Sequence, residues 1–236
     1  MGSDANTGDD RTIGQPVEAA RYRVIALDAM GVIYRSADDV TDLLIPYARS
    51  LGCRLEDDRI LQAYVECSLG AMTSSELWEQ LGVAGDDEEY CRAHELTDGV
   101  PEALASLAAA GVTLACLSND VSEWSLLLRG RFGLDRYIRT WVISGDIRVR
   151  KPDPRAFDAL ARALCVAPGD ILFVDDRARN VQAARAAGLD AVLYEPTGSV
   201  VDGRQAGLAT VLDAGRDEGT PIVRGMPALV RLVEGS

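Results

Sequence analysis

The sequence predicts an α/β fold: a Rossmann-like parallel sheet core with a small helical cap inserted after the first strand. Short apolar runs ending in polar residues alternate with amphipathic stretches, the pattern of parallel strands joined by crossover helices. A helical stretch after the first run is too long for one crossover. The 236 residues exceed one average domain and fall short of two, which suits one core with an insertion.

The apolar run from Arg23 ends at Asp28 and reads as the first strand. Val112 to Leu117 is the second and ends at Ser118-Asn119-Asp120, and Trp141 to Ile143 is a weaker third. Ile171 to Val174 ends at the pair Asp175-Asp176, Ala191 to Tyr194 follows, and Pro221 to Arg224 reads as a last strand. Helices are predicted over Pro101 to Ala110, Pro154 to Leu164, Ala178 to Ala187 and Pro227 to Val233, with prolines near several starts. Gly111 and Gly188 fall at expected helix stops. In the insertion, Val40 to Leu51, Asp57 to Leu69 and Ser74 to Leu81 carry apolar residues at helical spacing. The expected organisation is a disordered leader over 1–20, a core of 21–35 and 99–236, and a helical cap over 36–98. The Gly-rich stretch from Thr197 to Thr220 has no clear assignment.

Composition narrows the function classes. With 47% hydrophobic and 26% charged residues the chain is an ordinary globular sequence. It has neither a run long enough to span a bilayer nor an apolar leader typical of a signal peptide. A net charge of −13 repels polyanions, so neither nucleic acid nor a membrane is an expected partner. A small anion can still bind in a local positive pocket. The five cysteines, Cys53, Cys67, Cys91, Cys116 and Cys165, are widely spaced, which points to a reducing, cytoplasmic location and to small buried apolar roles. The lone histidine, His94, excludes chemistry that needs several and reads as a satisfied structural group. The lone lysine, Lys151, stands in a chain otherwise rich in arginine. Composition alone does not separate chance from the need for a compact point charge.

Ligands of open parallel sheets bind at the carboxyl ends of the strands. Asp28, Ser118, Asp175 and Asp176 all follow predicted strands, and Lys151 precedes a helix in Arg150-Lys151-Pro152-Asp153-Pro154. Singly, each reads as a cap or turn. Together they bring three carboxylates, a hydroxyl and an ammonium to one rim. Crowded carboxylates repel unless a cation joins them, and Mg²⁺ shared with a substrate phosphate is a common solution. One carboxylate is then free to attack phosphorus.

These residues resemble the haloacid dehalogenase superfamily, in its branch with a helical cap after the first motif. The four motifs are Val24-Ile-Ala-Leu-Asp28-Ala-Met30-Gly-Val-Ile33, Leu117-Ser118-Asn119, Arg150-Lys151-Pro152-Asp-Pro154 and Phe173-Val-Asp175-Asp176-Arg-Ala-Arg-Asn180. The segment from Leu69 through Gly70 and Glu76 to Trp78 is similar to the cap of this branch. The resemblance runs from about Arg23 to Tyr194. It implies a Mg²⁺-dependent phosphohydrolase forming an aspartyl-phosphate on Asp28. Ser118, Asn119 and Lys151 would bind the phosphoryl group of a small phosphorylated metabolite. Asp28, the Met30 backbone carbonyl, Asp175 and Asp176 would hold Mg²⁺, with Asn180 in the outer shell. Lys151 falls on the family's lysine position, which decides for a functional role.

The first motif departs from the family. Its phosphatases place a general acid two residues after the nucleophile, where this chain has Met30. Members resembling sugar-1-phosphate phosphatases also lack that acid, which keeps a phosphatase acting on a sugar phosphate in view. A catalytically silent domain binding a phosphometabolite or a protein is the second reading. A 2-haloacid dehalogenase is the third, from the likeness of Asp28-Ala-Met-Gly-Val to that branch's first motif. The acidic pair Asp175-Asp176 argues against it. Cap residues Arg54, Arg59, Tyr64 and Glu66 are candidates for substrate contact, and nothing in the sequence ranks them.

Overall fold

The structure is a computed structural model that describes residues 22–197 and 219–235. The expected leader and most of the Gly-rich stretch after Thr197 lie outside the described residues. Six parallel strands form one sheet in the order β3-β2-β1-β4-β5-β6. They are β1 (Val24–Leu27), β2 (Thr113–Ser118), β3 (Ile138–Ile143), β4 (Ile171–Asp175), β5 (Asp190–Glu195) and β6 (Ile222–Arg224). Strand order runs outward in both directions from β1 and β4, so the topological switch point lies between them. Leu27 pairs with Cys116 on one side and Val174 on the other. The Asp28 N–H extends the ladder, donating to the Val174 carbonyl at 2.8 Å.

Side-chain alternation divides the core. Ile25, Leu27, Leu114, Cys116, Leu172 and Val174 enter one apolar cluster, while Val24, Ala26, Ala115, Leu117, Ile171 and Phe173 enter the other. The first face carries α5 (Val100–Ala109), α6 (Ser122–Arg131) and α10 (Met226–Glu234). The second carries α8 (Pro154–Leu164) and α9 (Ala178–Ala186). The start of α8 follows from Asp153, whose side chain accepts the Arg155 N–H, and from Pro154 in the first turn.

Between β1 and α5 lie α1 (Ile45–Ser50), α2 (Asp57–Cys67), α3 (Ser74–Leu81) and α4 (Asp87–Arg92). Their buried residues, among them Ala48, Ile60, Leu77 and Tyr90, belong to the same cluster as the first sheet face. At the seam with α6, Asp87 accepts hydrogen bonds from the Trp78 and Trp124 indoles, both at 2.7 Å, and from Ser74 Oγ at 2.5 Å. Gly70 lies so close to the Gly145 carbonyl that a side chain there would collide with it.

The structure differs from expectation at identifiable places. The helix predicted over Val40 to Leu51 opens as a π-helical turn, Val40–Leu44, in which the Ile45 N–H reaches the Val40 carbonyl. Pro46 has no N–H for the Asp42 carbonyl, so the α ladder cannot run through unbroken. Helix α6 escapes a reading based on periodicity because Leu126, Leu127 and Leu128 are consecutive and Gly130 lies inside it. Strand β3 is longer than predicted, since an edge strand tolerates the polar Arg139 and Thr140. Two short helices, α4 and α7 (Ser144–Ile147), were not expected.

Phe157 of α8 packs edge-to-face on Phe173 of β4, with ring centroids 5.5 Å apart and both rings fully buried. Phe157→Ala should cost about 3–5 kcal/mol. Leu126→Ala, at a residue 56% exposed, should stay within about 0.5 kcal/mol. Denaturant titration of the two variants checks the difference.

Candidate active site

The polar residues at the strand ends meet at the switch point. Lys151, on the loop between α7 and α8, is 3% exposed. Its Nζ donates to the Leu117 carbonyl at 2.7 Å and to Asp175 Oδ2 at 2.8 Å, and pairs with Asp28 Oδ1 at 2.8 Å. Asp28 Oδ1 also accepts the Ala29 N–H at 2.7 Å. Two donors therefore pin one oxygen of Asp28, and among the described residues Oδ2 has no such restraint. Asp28, Asp175 and Asp176 each bring a carboxylate oxygen within 4.8 Å of the others.

Surrounding groups hold this constellation in place. Asn180 Nδ2 lies 3.0 Å from both Asp175 oxygens, and the Arg177 N–H donates to Asp175 Oδ1 at 2.8 Å. The Asn119 side chain grips the Lys151 backbone, donating to its carbonyl at 2.9 Å and accepting its N–H at 2.7 Å. Gly31 has φ +77°, and a Cβ there would collide with the Asp176 carboxylate. Within this constellation Ser118 Oγ, Asp176 Oδ1 and Asn180 Oδ1 are buried without a hydrogen-bond partner among the described residues. An orphaned buried polar group is costly unless a ligand satisfies it.

The charges do not balance locally. Burial, then the neighbouring carboxylates, push the Asp28 and Asp176 carboxyls above the usual range. Burial works against the charge of Lys151, yet Asp175 and Asp28 outweigh it and hold the ammonium above its ordinary value. Three carboxylates thus face one buried ammonium, with the Arg177 guanidinium behind them. The donors are all hard oxygens and one carboxylate oxygen is unpaired, so the set fits a hard divalent cation such as Mg²⁺.

Asp28, Asp175, Asp176 and Lys151 meet in this cluster with Asn180 behind Asp175, Ser118 follows the Leu117 carbonyl that Lys151 binds, and Asn119 is placed by its grip on the Lys151 backbone. The Met30 side chain is buried in the apolar cluster and offers nothing to move a proton. Of the four cap candidates, Tyr64 reaches the core loops, its hydroxyl donating to the Asn119 carbonyl at 3.1 Å. Arg54 and Arg59 are exposed, and Glu66 bonds Gln62 on its own helix. His94 is not the satisfied group expected. It is buried between Tyr34 and Tyr90, meets the Tyr90 and Cys91 carbonyls without a well-formed hydrogen bond, and burial lowers it to about 4.

Sequence reasoning missed two arginines. Arg150 donates to Ser68 Oγ and lies over the Tyr64 ring, 5.5 Å from its centroid. Arg177 Nη2 donates to the Ala37 carbonyl at 2.9 Å, tying the fourth-motif loop to the start of the insertion. The available signal was a basic residue beside each of two motifs in an acidic chain.

A family model for haloacid dehalogenase-like hydrolases matches residues 22–188. The chain belongs to that family. This haloacid dehalogenase-like hydrolase is 27% identical over 224 residues to a phosphoglycolate phosphatase of Pseudomonas savastanoi pv. phaseolicola, covering 88% of this chain and 75% of that one. It is 32% identical over 147 residues to phosphoglycolate phosphatase 1 of Pseudomonas aeruginosa, covering 61% of this chain and 47% of that one. Its fold is similar to that of an L-2-haloacid dehalogenase from Xanthobacter autotrophicus (TM-score 0.66, 18% identity, 91% of this chain and 99% of that chain). It is also similar to a family enzyme from Bacteroides thetaiotaomicron solved with magnesium and inorganic phosphate (TM-score 0.63, 16% identity, 74% and 94%). Likeness at these identities speaks to the fold alone. No helix among the described residues is long and apolar enough to cross a membrane.

Gly31→Ala should lower activity by on the order of 10², because a displaced Asp176 misplaces the site, and should lose about 1–2 kcal/mol for its left-handed backbone. Gly82 shares the backbone strain at φ +69° but has nothing within 4 Å of an added Cβ. Gly82→Ala should therefore lose stability alone. Melting curves and specific activities of the pair test this.

Proposed function

We propose that this hydrolase is a Mg²⁺-dependent phosphatase that works through an aspartyl-phosphate on Asp28. The observation that carries the reading is the Lys151 ammonium between Asp28 and Asp175, in a site where carboxylates outnumber cations and Ser118 Oγ is unpaired. Lys151 and the Ala29 N–H orient Asp28 through Oδ1 and leave Oδ2 to attack phosphorus. Ser118 and Lys151 hold phosphoryl oxygens, with Asn119 positioning the lysine. Mg²⁺, held by Asp28, the Met30 backbone carbonyl, Asp175 and Asp176, would supply the charge that draws in and neutralises the phosphoryl group. Asn180 braces Asp175 from behind. The helical segment over 36–98 acts as a cap that encloses the leaving group.

Phosphoglycolate, named by both bacterial relatives, is the first substrate to try among small phosphorylated metabolites. Four buried, unpaired thiols support a reducing, cytoplasmic location. A second reading, a silent phosphometabolite-binding domain, draws on Met30 alone.

Hydrolysis of p-nitrophenyl phosphate decides between them, because its phenolate departs without a proton. Turnover should require Mg²⁺, stop with EDTA, and fall by at least about 10³-fold in Asp28→Asn. Wild-type turnover undiminished in Asp28→Asn would remove the nucleophile assignment. No turnover in the wild type would favour the silent domain. Met30→Asp should raise hydrolysis of alkyl phosphates more than that of aryl phosphates, read as the ratio of their kcat/KM values.

A further inference from the structure

With Met30 unable to move a proton, a donor has to come from another carboxyl group, and one is buried and unpaired nearby in the fold. Asp39 is 5% exposed, and its Oδ2 has no hydrogen-bond partner among the described residues. It occupies the N-cap position of the turn Val40–Leu44 yet makes no cap bond. Asp38 serves there instead, its Oδ1 accepting the Thr41 N–H at 3.4 Å and its carbonyl the Asp42 N–H at 2.9 Å. An aspartate at a helix start ordinarily caps it. Asp39 has no such task.

Its neighbours tie it to the loops of the site. Two residues before it, the Ala37 carbonyl is bonded to Arg177, which directly follows the Asp175-Asp176 pair. The charged and titratable groups facing Asp39 are Asp38 beside it, Arg177 and Arg150 from core loops, Asp120 after β2, Tyr64 on α2 and Tyr90 on α4. Arg177 also faces Asp28 and Asp176, and Asp120 also faces Asp28. Asp39 therefore belongs to the start of the insertion, next to the Ala37–Arg177 link that ties this segment to the loop carrying Asp175 and Asp176. Asp120 is buried too, but its Oδ1 is taken by the Val121 N–H at 2.7 Å, just ahead of α6.

Resting on the phosphatase reading above, we infer that Asp39 is the general acid and base of this enzyme, in place of the carboxyl missing at position 30. As Asp28 Oδ2 forms its bond to phosphorus and the bond from phosphorus to the leaving oxygen breaks, the Asp39 carboxyl proton passes to that oxygen. The resulting Asp39 carboxylate then takes a proton from the water that attacks the aspartyl-phosphate. Phosphate departs, and both aspartates return to their starting states. Burial, then Asp38, push the Asp39 carboxyl up to about 6 against the pull of Arg177 and Arg150. A proton is thus retained at a pH where a free aspartate has lost it. A general acid works in its protonated form, so kcat/KM for alkyl phosphates should fall as pH rises through that range.

The test compares wild type, Asp39→Asn and Met30→Asp/Asp39→Asn on phosphoglycolate, whose alkoxide needs a proton, and on p-nitrophenyl phosphate. Asp39→Asn should lower kcat/KM for phosphoglycolate on the order of 10²-fold and lower the first-turnover burst of p-nitrophenolate far less. Its alkaline limb with phosphoglycolate should disappear, and Met30→Asp should restore much of the loss. Equal losses on both substrates, an unchanged pH profile, or a wild type with no alkyl phosphate turnover would overturn the assignment. Failure of the phosphatase reading would look different: p-nitrophenyl phosphate turnover would be absent, or would survive Asp28→Asn.

Discussion

The ammonium of Lys151 is the interaction on which the site depends. It binds the carbonyl before Ser118, the carboxylate after β1 and the carboxylate ending β4, joining the ends of three adjacent strands. Bringing carboxylates together at the switch point is unfavourable without it, since each raises the other's affinity for protons. Removing one partner of a buried ion pair typically costs 3–5 kcal/mol, because the remaining charge stays buried. An arginine would not fit the role: its planar fork is too broad for three converging acceptors, and that explains a single lysine among many arginines.

The sheet and most of the site were legible in the sequence for related reasons. Parallel strands are covered on both faces, so they read as apolar runs, and the polar residues that interrupt them mark their carboxyl ends. Asp28, Ser118, Asp175 and Asp176 were found that way. The bounds of α8 matched because Asp153 and Pro154 act locally. What escaped depends on tertiary approach. Arg177 and Ala37 are 140 positions apart, and no local pattern announces their bond. Asp39 looks in sequence like any helix cap. Its burial and its idle carboxylate emerge only once the insertion has folded against the core.

Position 30 and the insertion bear on one another. In its buried place Met30 adds apolar contact between the site loop and the larger core cluster, which also contains the insertion's interior. Two residues after Asp28 the chain thus has packing in place of a polar group. Arg150 and Tyr64 join the core loops to the insertion, one from each side.

The carboxylate of Asp87 has a practical consequence. It holds the indoles of Trp78 on the insertion and Trp124 on α6, while Trp141 bonds the Ile138 carbonyl on the edge strand. Two of the chain's three tryptophans therefore meet at the seam between insertion and core. Their emission responds to the polarity and hydrogen bonding around each ring, so separation of the seam would alter both at once. The enzyme carries its own optical gauge of whether its two parts are docked.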